Sequence, residues 1–191
     1  MTMDFKKFLI LNHVDMITPI GLSFGMRGRG ADLFVLQLIG DKDSPIRFNG
    51  RMIAFPDESL CRNALETIKP LLPVGVKVEH KYDFICDIPS AIKLVTEHEG
   101  DSEAVVLNCI NTLLDFVVTG SFDFPDDYRI LRALADRLTF QGEFGEFTQT
   151  RLLIRNALLW CAGITSVDLM LIQSLAEFEA LLSSLSATVP M

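Results

Sequence analysis

Three histidines, four cysteines and one glycine-rich loop are the groups in this 191-residue chain with the most chemistry to offer. His13, His80 and His98 stand in separate segments, and none has a second histidine at the i, i+4 spacing that grips a metal from one helix face. Glu97-His98-Glu99, with Asp101 and Glu103, gathers carboxylates but lacks the fixed spacing around a central glycine of a calcium loop, and it reads as a solvated linker. Cys61, Cys86, Cys109 and Cys161 lie far apart in apolar runs with no CxxC pair. Such surroundings raise a thiol's pKa and make a poor nucleophile, while free thiols of this kind fit a reducing compartment. GxSxG is absent, and no serine or cysteine can be given a base and an orienting carboxylate. The expectation is no catalytic residue, no cofactor and no metal ligand, and the balance leans away from an enzyme.

Three other stretches are candidates for binding. Gly25-Met26-Arg27-Gly28-Arg29-Gly30 sets glycine amides beside Arg27 and Arg29, a combination able to cradle an oxyanion. Its spacing is neither that of a dinucleotide fingerprint nor that of a P-loop, since Ala31-Asp32 and an apolar run follow, so a mobile hairpin turn is the plainer expectation. In residues 102–119, Asn108, Asn111, Thr112, Asp115 and Thr119 recur at three- and four-residue spacing and share one narrow helix face. That stripe reads first as the solvent side of a central helix, then as a buried polar network or subunit interface, and last as a ligand site with Asp115 as its charged member. Phe144 and Phe147, beside Glu143 and Glu146, either anchor a partner or plug the core, with Arg151 and Arg155 placed to pair with the glutamates.

The elements positioning these residues follow from a change of pattern near Pro89. Before it come short apolar runs punctuated by glycine and proline: Ile17 to Phe24, Leu33 to Ile39, Arg47 to Phe55 with Asn49-Gly50 as a bulge or tight turn, and Val74 to Asp87. Pro56-Asp57-Glu58-Ser59 opens a helix with inner face Leu60, Ala64, Leu65 and Ile68. Residues 5–14 read equally as strand or short helix. After Pro89 the pattern predicts five helices over about 90–98, 102–119, 126–140, 148–162 and 166–185, with Gly163 as a stop and Thr165 to Asp168 as a new start. The expected fold is α+β: an N-terminal antiparallel sheet of about four strands with one helix (residues 1–89), a C-terminal group of about five helices (90–185) and a tail (186–191), either as two domains or sharing one core.

Apolar residues make up 49% of the chain and charged ones 22%, the usage of an ordinary soluble globule. The net charge of −8 is uneven: residues 1–100 hold 12 basic against 13 acidic side chains, and residues 101–191 hold 5 against 12. An acidic helical half disfavours nucleic acid and anionic membrane surfaces. Phe8 to Leu11 is too short for the apolar region of a signal peptide, and Asn156 to Ala176 is too interrupted to span a bilayer. The expectation is a cytoplasmic, non-enzymatic interaction or regulatory module that binds a protein partner or itself, a homodimer included, through its helical half. The alternatives are a small-molecule-binding protein or enzyme with a pocket between sheet and helices, and an acidic neutraliser of a basic protein.

Overall fold

Asn49 and Gly50 lie at φ 50° and 82°, and two consecutive residues in the left-handed region are what a two-residue hairpin turn requires. The run expected as one strand is therefore two, β4 (Arg47–Phe48) and β5 (Arg51–Phe55), paired antiparallel with Arg47 opposite Met52 and Phe48 opposite Arg51. The computed structural model describes residues 5–28, 30–81, 85–97, 103–119, 128–141 and 151–187. Among them the other elements are α1 (Phe5–Leu11), β1 (Met16–Ser23), β2 (Leu33–Ile39), β3 (Ser44–Pro45), α2 (Glu58–Ile68), β6 (Lys77–Val78), β7 (Ile85–Asp87), α3 (Ile88–Glu97), α4 (Glu103–Val118), α5 (Tyr128–Gln141), α6 (Arg151–Val167), β8 (Leu169–Leu171) and α7 (Leu175–Ala187). The fold is mixed α+β, with seven helices and eight strands among the described residues.

The chain divides into two units, each assembled from separate stretches: residues 1–21, 33–84 and 170–191 form the first, residues 22–32 and 85–169 the second. In the first, the strands run in the order β4-β5-β2-β1-β6, with β3 on β2 and β8 on β5. β1 and β2 hold the inner places and are buried along nearly their whole lengths on both faces, where a strand with one face in water would alternate. The sheet is not antiparallel throughout as expected. β6 runs parallel to β1, Met16 opposite Lys77, after the chain has crossed through α2. Asp57 caps α2 by accepting from the Leu60 N–H at 2.8 Å. The buried face of α2 is Cys61, Ala64, Leu65 and Ile68, with Cys61 in the place expected for Leu60. Phe55 and Phe178 meet edge to face, 5.5 Å between ring centroids, at the centre of this core.

Two further expectations are corrected. Val74 to Asp87 holds the short strands β6 and β7, with residues 82–84 outside the described set. The helix expected over 166–185 does not exist as such: α6 runs through Gly163 to Val167, β8 follows, and α7 begins only at Leu175. Gly163 does not stop the helix because it keeps a negative φ, whereas a glycine stop needs the left-handed conformation. α7 starts on a Ser174-x-x-Glu177 box in which Ser174 Oγ accepts the Glu177 N–H at 3.2 Å and Glu177 accepts the Gln173 N–H at 2.8 Å. Residues 5–11 resolve as helix.

In the second unit α4 is the central helix, packing on α3, α5, α6 and β7 through Val106, Cys109, Ile110, Leu113, Phe116 and Val117. Asp87 caps α3, accepting from the Ser90 N–H at 3.1 Å and the Ser90 hydroxyl at 2.8 Å. No helix among the described residues is long and apolar enough to cross a membrane.

Two substitutions test these assignments. A methyl at Gly40 would lie 2.6 Å from the His13 carbonyl oxygen and 2.9 Å from that of Asn12, both backbone atoms, so Gly40→Ala is expected to cost about 1–3 kcal/mol in urea unfolding. Thr165 is 2% exposed and its hydroxyl has no partner among the described residues, so Thr165→Val is expected to raise stability by up to about 1 kcal/mol.

Candidate functional site

The glycine loop already contains its anion. Asp32, 2% exposed, accepts the backbone N–H groups of Phe24 at 2.7 Å, Arg27 at 2.7 Å and Met26 at 3.1 Å. Burial alone raises the pKa of this carboxyl. The amides of Phe24, Met26, Arg27 and Gly25 outweigh that effect and hold it below its ordinary value of 3.8. Amides that would cradle an external oxyanion are thus turned inward on a side chain. Gly25 is required twice over: its φ is +83°, and a methyl there would meet Pro89 Cγ at 3.2 Å. The loop therefore seats against the first turn of α3.

Beside that seat lies a groove of about 730 Å³ between α3 and α6. Ile92, Lys93 and Glu97 line it from α3, Arg155, Leu159 and Gly163 from α6, and Phe24 and Pro89 contribute as well. Lys93 reaches Glu97 one helical turn away at 3.7 Å, an exposed pair of small worth. Arg155 is half-buried and makes no hydrogen bond or ion pair with the described residues. Gly163 sits in mid-helix, where glycine costs about 1 kcal/mol relative to alanine, yet among the described residues nothing outside the helix's own turns comes within 4 Å of the position its Cβ would take. No packing contact among the described residues demands a glycine there. α6 also turns Leu152 (64% exposed), Leu159 (43%) and Val167 (79%) to solvent, Leu152 and Leu159 falling on one face at seven-residue spacing.

Catalytic groups do not gather here. No cluster of three or more His, Cys, Asp or Glu side chains able to hold a metal occurs among the described residues. His13, exposed, lies 2.6 Å from Asp41, and His80, half-buried, lies 3.2 Å from Glu66, both in the first unit. Burial, with Glu58 and Asp57 nearby, pushes the Cys61 thiol up to about 12, and burial beside Cys109 does the same to Cys161. Neither supplies a thiolate near neutral pH.

Of the residues singled out from sequence, Asn108 and Asn111 are exposed on α4, Asp115 is half-buried on the same face, and Thr112 is buried. Arg27 is exposed, and its backbone amide serves Asp32. Arg29, Phe144 and Phe147 lie outside the described residues, as do Glu143 and Glu146. Sequence reasoning passed over Asp32 and the α3–α6 groove. A lone aspartate two residues after the last glycine was the available signal for the first; mid-helix Gly163, read as a stop, was the signal for the second.

Asp32→Asn keeps the side chain's shape but turns an N–H₂ group toward donors. It is expected to cost about 1.5–3 kcal/mol at neutral pH by denaturant unfolding. Because the folded pKa lies below the unfolded one, this stability is present above pH 3.8 and lost as pH falls through the folded value. The gap between wild type and variant should therefore close at low pH. No protein-family model, curated protein or solved structure matches this chain, so the chemistry of its site rests on its own geometry.

Proposed function

We propose that this chain is a non-enzymatic interaction module that pairs with a second copy of itself through the α3–α6 groove. The observation that carries the reading is exposed apolar surface on α6, Leu152 and Leu159 on one face, continuing into a groove that Leu159 itself lines and whose Gly163 wall the described residues leave bare. A two-fold interface needs one surface to offer both a projection and a recess, because residue i of one copy meets residue j of the other and the reverse. The charges suit the same arrangement. Glu97 lines the groove from α3 and Arg155 from α6, so a two-fold mate presents each with the opposite charge. A small-molecule site is the weaker reading. The groove falls within the usual range of ligand pockets, but of its two cationic side chains Lys93 is turned to Glu97, which leaves Arg155 to orient an anionic ligand.

Sedimentation analysis tests the pairing. Wild type is expected to dimerise reversibly, and Glu97→Arg or Arg155→Glu alone to weaken the dimer about tenfold, or ~1.4 kcal/mol, with the double swap restoring it. Gly163→Leu should abolish the dimer without lowering the thermal midpoint measured at a dilution where wild type is monomeric, since leucine is the better helix former. A wild-type monomer up to about 1 mM, where any remaining affinity is weaker than about −4 kcal/mol, would overturn the proposal.

A further inference from the structure

Cys86 in β7 and Cys109 in α4 bring their sulfur atoms to 3.4 Å, and both side chains are sealed from solvent. A disulfide bond spans about 2.05 Å, so bond formation requires the sulfurs to close by only ~1.4 Å. The two residues are 23 apart in sequence and belong to different elements, so a bond between them would tie the strand leading into α3 to the helix at the centre of the unit. We propose that Cys86 and Cys109 are a latent disulfide, closed reversibly when the chain meets hydrogen peroxide.

The steps balance. The sulfur of one cysteine, as thiolate, attacks the O–O bond, becoming a sulfenic acid and releasing water once the leaving oxygen is protonated. The second sulfur then displaces the sulfenic hydroxyl, which leaves as a second water with the remaining thiol proton, and the S–S bond forms. Two thiols are oxidised and one peroxide is reduced. Both sulfurs are buried, and the hydrogen bond to Cys109 followed by desolvation pushes the Cys86 thiol well above its ordinary range. The first step therefore waits on local opening of the unit, whereas the second needs only reclosing, which returns the partner sulfur to contact. A thiol reductant reverses the bond by exchange in the same open form.

The test uses the wild-type protein, treated with hydrogen peroxide, unfolded in an alkylating agent and digested without reduction. The expected product is an intact chain lighter by two hydrogens before alkylation, and after alkylation and digestion a cross-linked peptide joining Cys86 to Cys109 with Cys61 and Cys161 alkylated. Hydrogen exchange in β7 and α4 should slow in the oxidised form and recover on reduction. Four thiols still free for alkylation, separate sulfinic acids, or a bond from either residue to Cys161 on α6 would each overturn the assignment. Protein carrying Cys61→Ala and Cys161→Ala should give the same cross-link, and loss of the cross-link in that folded background would also overturn it.

Discussion

A helix without a broad polar face has to be covered on almost every side, and α4 imposes that requirement on the second unit. Its core-facing residues Val106, Cys109, Ile110, Leu113, Phe116 and Val117 are each at most 1% exposed. Burying an aliphatic or aromatic side chain fully is worth about 1.5–3 kcal/mol, so leaving one flank of α4 bare would forfeit several kcal/mol. α3, α5, α6 and β7 all pack on it as a result. α3 and α6 are neighbours because both are held on the same helix, and the groove exists where those two neighbours meet.

The parts of the fold that could be read from sequence are those in which a single local signal decides. Pro56-Asp57-Glu58 marked the start of α2, and Asn49-Gly50 offered a tight turn that the structure realises as a hairpin. Where two signals compete, local pattern does not decide between them. Gly163 and Thr165 to Asp168 promised a stop and a restart, while Ser174 and Glu177 carried the capping box that begins α7. The strand between those two helices owes its existence to a long-range pairing: β8 joins β5, and the Ile172 N–H donates to the Ala54 carbonyl at 2.8 Å. No local periodicity announces three residues that become strand only because an edge is waiting for them. The same holds for β6, whose two residues are strand by virtue of β1.

The candidate site was less legible than the fold, for a related reason. A glycine-rich loop advertises amides without saying what they bind, and Arg27 and Arg29 drew attention to an external anion. Asp32 settles the loop's own amides by accepting three of them, with a buried charge that would be costly anywhere less well served. The polar stripe on α4 illustrates the opposite case. Asn108 and Asn111 attracted notice because amides are unusual on an exposed face, and they stand exposed nonetheless.

What joins the loop, the groove and the thiol pair is a run of four residues. Cys86 touches Cys109, Asp87 caps α3, Ile88 and Pro89 line the groove, and Pro89 also bears on Gly25 of the loop that Asp32 organises. β7 passes into α3 without an intervening loop, so no slack separates these contacts. A displacement of Cys86 by the ångström or so that a covalent link demands must be absorbed within one turn of helix, either by loosening the Asp87 cap or by moving the groove lining. The first choice sacrifices a cap worth about 1 kcal/mol. The second alters the recess that a partner would have to fit, which makes the start of α3 the place where oxidation and association would meet.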